Sequence, residues 1–88
     1  MNYNVFTLPT PLPYLNGQLT QGYWYCYYLD NVQAYITWTL QDKNGNNLFS
    51  GNWKLDQKTF DTWGTDNTVV TNGLLLAAPW NNPLPLPN

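Results

Sequence analysis

Enzymes move protons with His, Glu, Asp, Lys, Tyr or Cys, and attack substrates with Ser, Cys or Thr set beside a base. This 88-residue chain has no His, no Glu, one Ser and one Cys. Ser50 falls in a predicted strand with no imidazole to serve it. Cys26 has no His partner and no second Cys, so it forms no internal disulfide and reads as a small buried apolar residue. Glycoside cleavage by paired carboxylates would have to use Asp alone. Asp61 and Asp66 are the nearest candidates, and each has a helix or turn role. No glycine-rich phosphate loop is present. The chain therefore reads as non-catalytic and without a cofactor.

Metal chemistry fares no better. Without His or further Cys a zinc site cannot be assembled. Asp61, Thr65, Asp66 and Asn67 gather oxygen atoms of the kind calcium takes. Their spacing departs from the calcium loop with alternating acidic positions and a closing Glu. Turn and cap chemistry accounts for them, and no metal site is assigned.

Charge narrows the partners. Charged residues make up 9% of the chain, the formal net charge is −2, and Lys43, Lys54 and Lys58 are the whole positive inventory. Phosphate backbones and anionic membranes are held by many Lys and Arg, so neither nucleic acid nor membrane is expected. No apolar run approaches the ~20 residues of a spanning helix, and no signal peptide is evident. The polar surface must come from Asn, Thr, Gln and Ser. Such a surface suits packing into an assembly, or binding neutral polar ligands such as glycans.

Aromatic residues, at 17%, are the compositional excess. Tyr25, Tyr27, Tyr35 and Trp80 are expected to be exposed, and the three tyrosines form a possible ligand face. Trp24, Trp38, Trp53 and Trp63 are expected in the core. Flat rings bordered by amides suit saccharides, and Tyr and Trp are equally enriched where proteins meet. Both readings stay open at this point.

The elements that would position these residues follow from periodicity. Residues 19–29 are rich in aromatics and predict a strand. From 32 to 41, Val32, Ala34, Ile36, Trp38 and Leu40 alternate with Gln33, Tyr35, Thr37, Thr39 and Gln41, the signature of a strand with one buried and one wet face. Residues 42–47 are a hairpin turn around Asn44-Gly45, and 48–55 the return strand. Asp56 caps a short helix at about 57–63 that Gly64 stops. The pattern predicts a last strand over 68–77, bulged at Asn72-Gly73. The fold class is all-β, a small antiparallel β-sandwich or half-barrel of about four strands with one short helix and extended Pro-rich arms.

Residues 1–17 read as an extended N-terminal arm, 18–78 as the β-rich domain and 79–88 as a Pro-rich tail. In the arm Pro9, Pro11 and Pro13 alternate with Leu8, Thr10 and Leu12, ahead of Tyr14. In the tail Trp80 precedes Pro83, Leu84, Pro85, Leu86 and Pro87. Proline holds each stretch extended, and leucines on an extended chain are expected to lie against something. Both are therefore read as partner-binding segments.

Within Trp53-Lys-Leu-Asp-Gln-Lys-Thr-Phe-Asp-Thr-Trp-Gly-Thr-Asp-Asn67, the form L-x-x-x-x-(F/Y)-D-x-W-G-x-D-(D/N) resembles a segment of small phage-encoded virion or tail-associated proteins. The resemblance covers 53–67 and transfers no catalytic residue. It implies a structural role in a particle, and hence a virion location; otherwise the chain would be cytoplasmic. The expected function is a non-catalytic structural subunit, a phage decoration, head or tail-associated protein. Its arms would bind other copies of itself and other subunits. The alternatives are a carbohydrate- or surface-binding module using exposed Tyr and Trp, and a small interaction protein that inhibits a host factor.

Overall fold

The computed structural model describes residues 3–81. Four strands, β1 (Asn4–Tyr14), β2 (Gly17–Leu29), β3 (Ala34–Gln41) and β4 (Asn47–Lys54), are followed by helices α1 (Gln57–Trp63) and α2 (Asn67–Ala77) and a single 3₁₀ turn over Pro79–Asn81. The strands form one antiparallel sheet in the order β1-β2-β3-β4, a simple meander. The sheet is open, and helices rather than a second sheet cover one of its faces.

The residues that alternate toward the helices build the core. Phe6 and Leu8 of β1, Leu19 and Trp24 of β2, Ile36, Trp38 and Leu40 of β3 meet Val70 and Leu74 of α2. Val70 and Leu74 lie four apart, one above the other on a single helix face. Trp80 closes the layer. Its ring stacks on Phe6 with centroids 6.1 Å apart and meets Trp38 edge-on at 5.5 Å.

Several expectations need correction, the first of them an element. The segment 68–77 is helix, not strand. Thr68, Val69, Val70 and Thr71 favour strands locally, but a continuous apolar run does not distinguish the two by periodicity, and burial of Val70 and Leu74 on the sheet decides for helix. Asp66 caps it by accepting from the Thr68 N–H at 3.0 Å. Gly73 marks no bulge. A Cβ there would lie 3.1 Å from Thr59 Cγ2, so the glycine lets α1 and α2 approach closely.

The second correction concerns the arm. Residues 4–14 are a strand paired with β2, with Leu8 buried and Leu12 and Tyr14 packed on the core. Proline survives here because β1 is an edge strand and the pairing shifts between Thr7 and Leu12. Pro9 and Pro11 fall inside that shift, where the ladder asks for no N–H. Pro9, Pro11 and Pro13 are exposed. The opposite edge, β4, carries no proline. Trp80, expected exposed, is 6% exposed. Pro83, Leu84, Pro85, Leu86 and Pro87 lie outside the described residues.

Local chemistry elsewhere follows the sequence. The Asp42 carboxylate accepts from the Asn44 and Asn46 N–H groups at 2.9 and 3.0 Å, and Gly45 takes φ 84° in that turn. Asp56 accepts from the Thr59 N–H at 2.7 Å and starts α1.

Candidate functional site

Among the described residues no element covers the face of the sheet away from the helices, and strand register arranges its side chains in rows. Thr7, Gln21, Gln41 and Asn47 are cross-strand neighbours, as are Val5, Tyr23, Thr39 and Ser50. The next rows are Tyr25, Thr37 and Asn52, then Tyr28, Tyr35 and Lys54. Lys54 is the one charged residue in these rows.

Hydrogen bonds run along them. Gln21 Nε2 donates to Gln41 Oε1 at 3.1 Å, Gln41 Nε2 to Asn47 Oδ1 at 2.8 Å, and Asn47 Nδ2 to the Tyr23 hydroxyl at 3.2 Å. Thr37 Oγ1 donates to Asn52 Oδ1 at 3.1 Å. The rings interlock as well. Tyr3 stands edge-on to Tyr23 at 4.8 Å and to Tyr25 at 5.7 Å.

A register shift between Cys26 and Tyr28 bulges β2 beside Tyr35. It brings both Tyr27 and Tyr28 to the Tyr35 ring, at 5.9 and 5.8 Å. A two-for-one bulge redirects a side chain in this way. Tyr27 and Tyr28 are about half exposed, and Leu29 and Val32 extend the apolar rim past the strand end. Tyr25 and Tyr35 are half-buried.

Of the three tyrosines singled out from the sequence, Tyr27 and Tyr35 touch. Tyr25 sits one row away against Tyr3. Sequence reasoning missed Tyr3, Tyr23, Tyr28 and the amide rows. The odd-numbered alternation Gln21-Tyr23-Tyr25 was available as a signal. It did not say which face the helices would take, because Trp24 and Cys26 alternate with it equally well.

The oxygen-rich segment 61–67 holds cap chemistry. Asp61 accepts from Gln57 Nε2 at 2.8 Å, and Asn67 accepts from Trp63 Nε1 at 3.0 Å while donating to Asn4 Oδ1 at 3.2 Å. Among the described residues no three His, Cys, Asp or Glu side chains group as metal ligands. Cys26 donates its thiol hydrogen to the Tyr28 carbonyl at 3.2 Å.

Three carboxylates have their pKa lowered by hydrogen bonds to the ionised form: Asp30 chiefly by the Val32 N–H, Asp42 by the Asn46 side chain and backbone, and Asp56 by the Thr59 N–H. Tyr28 is raised, chiefly by its hydrogen bond to Asp30. A lowered carboxylate stabilises the fold above its unfolded pKa, and that contribution is lost as pH falls through the folded value. A raised tyrosine does so below its unfolded pKa, and the contribution is lost as pH rises through the folded value. With no His or Glu in the chain, the thermal midpoint should be level from about pH 5 to 9 and fall below about pH 4 and above about pH 10. A midpoint that slopes through pH 6–7 would contradict this assignment.

No helix among the described residues is long and apolar enough to cross a membrane. No protein-family model, curated protein or solved structure matches the chain.

Proposed function

We propose that the chain is a non-catalytic structural subunit of a larger assembly and meets its neighbours through the open tyrosine-amide face. The observation that carries this reading is the composition of that face. A solvated sheet face is ordinary in an antiparallel sheet, but it is ordinarily studded with charge. This one offers one Lys, interlocked Tyr rings, and amides and hydroxyls already bonded to one another. Polar groups that are paired in advance leave water at lower cost, and Tyr is enriched where proteins bury surface. The resemblance of residues 53–67 makes a phage particle the assembly we propose. That segment forms the end of β4, α1 and the cap of α2.

The test is a charge at the centre of the face. Thr37→Arg, between Tyr25 and Asn52, should convert an oligomeric wild type to a monomer of unchanged circular dichroism. A wild type that sediments as a monomer at every concentration would refute the reading, as would an oligomer indifferent to Thr37→Arg.

The three-ring cluster of Tyr27, Tyr28 and Tyr35 favours a second reading, a saccharide platform. Its half-exposed rings stand beside Gln33, which accepts from the Tyr35 hydroxyl at 3.4 Å, and Asp30, which accepts from Tyr28 at 2.9 Å. Glycan-array binding abolished by Tyr35→Ala would support it.

A further inference from the structure

The polar atoms around the three-ring cluster are already engaged within the chain. Asp30 follows β2 directly and starts the turn into β3. Its Oδ1 accepts from the N–H groups of Val32 and Gln33, both at 2.8 Å, and its Oδ2 from the Tyr28 hydroxyl at 2.9 Å. Gln33 Oε1 accepts from the Tyr35 hydroxyl at 3.4 Å. All these donors are neutral, so the Asp30 carboxylate keeps its charge. The handles that sugar hydroxyls would use are thus taken up locally. Aromatic faces and one negative charge are what the cluster still offers a ligand.

The rings are close enough to act together. Tyr27 and Tyr28 lie 5.9 and 5.8 Å from Tyr35 and are inclined to it by 40° and 62°. They are 49% and 46% exposed, so a ligand can reach them from solvent. Regular alternation would send one of two consecutive tyrosines to the other face, and the bulge in β2 is what gathers both. A cation within about 6 Å of a ring centroid is drawn to the ring face, and clusters of such rings hold quaternary ammonium groups. A quaternary ammonium carries no N–H, so it gives up no hydrogen bond at a site whose acceptors are engaged. A primary ammonium brings three donors that such a site leaves short of partners.

We propose that Tyr27, Tyr28, Tyr35 and Asp30 form a binding site for a quaternary ammonium group of the choline type. The rings supply the faces and Asp30 the countercharge. Lys54 lies across from Tyr35 in register, and its charge works against a bound cation. With exposed rings and that opposing charge, the dissociation constant should be of order millimolar.

The test uses the full chain. Choline chloride is titrated in at fixed ionic strength, beside its neutral isostere with a quaternary carbon in place of the nitrogen, and the ring NMR signals of Tyr27, Tyr28 and Tyr35 are followed. Choline should move all three, and the isostere should bind at least about fivefold more weakly. Asp30→Asn keeps an acceptor for the turn but removes the charge, and should weaken choline about threefold or more. Tyr27→Leu keeps an apolar side chain but removes a ring, and should weaken it similarly. Unchanged Trp24 signals show that each variant is folded. A peptide bearing trimethyl-lysine, run beside choline, tells a protein-borne group from a free ion by which binds more tightly. Equal binding of choline and its isostere would overturn the proposal in favour of a plain apolar patch. Choline affinity indifferent to both substitutions would also overturn it, as would ring signals moved by a neutral methyl glycoside and not by choline. The readout needs no contact between chains, so this proposal and the assembly reading fail separately.

Discussion

Gly22→Ala should cost about 3 kcal/mol or more, the upper part of the range for overpacking a core, and should shift the urea midpoint accordingly. Gly22 sits in the interior of β2, opposite Phe6 on one neighbour and Leu40 on the other. A Cβ there would collide with the Thr39 carbonyl oxygen and lie 2.8 Å from Phe6 Cζ and 3.0 Å from Leu40 Cδ2. The first of these is backbone of a central strand and cannot retreat without opening the β2–β3 ladder. A domain of this size has about 5–10 kcal/mol in total, so one methyl group would remove a large part of it. Gly17→Ala is the control. Nothing lies within 4 Å of its added Cβ, and the change should be neutral or stabilising by a few tenths of a kcal/mol. If the two variants unfold at the same denaturant concentration, the pairing of β2 between β1 and β3 described above is wrong.

Trp24→Phe should cost about 1–2 kcal/mol more than Trp38→Phe, although both residues are buried and both changes remove the same atoms. The difference lies at the indole nitrogen. Trp24 Nε1 donates to Thr71 Oγ1 on α2 at 2.8 Å, and its loss leaves a half-buried hydroxyl short of a donor. Trp38 Nε1 is buried with no hydrogen-bond partner among the described residues. An orphaned buried donor costs on the order of 1–3 kcal/mol, so removing it offsets part of the lost packing. Thr71→Val should cost less in the Trp24→Phe background than in wild type, by about 1 kcal/mol of coupling. Additive costs in that cycle would deny the bond an energetic role. Equal costs for the two Trp variants would imply an unseen partner for Trp38.

The two tryptophans also mark where sequence reasoning reaches and where it stops. Placing Trp24 and Trp38 in the core needed only alternation. The turn at 42–47, β4 and the Asp56-capped α1 were legible because their signals are local, a carboxylate two to four residues from the N–H groups it accepts. Trp80 was misplaced because its burial depends on α2, and α2 was read as a strand from its β-branched start. The proline rule misled over β1 for a related reason. It forbids proline where a ladder needs a donor, and only the register shift between Thr7 and Leu12 reveals that none is needed there. The tyrosine face was half legible. Its members could be enumerated, but which of two aromatic faces stays bare is decided by where the helices land.

The prolines of β1 have a consequence for growth. Three of that strand's eleven residues bring no N–H, whereas β4 at the other margin brings a full set. Adding a copy by docking its β1 on β4 would repeat without limit, each new molecule offering a fresh margin to the next. The missing donors make β1 a poor addend and act as a chain terminator. Pairing β4 with the β4 of a second copy closes on itself after one step, with the two Lys54 side chains at opposite ends of the seam. Backbone pairing through such a sheet would stop at two copies.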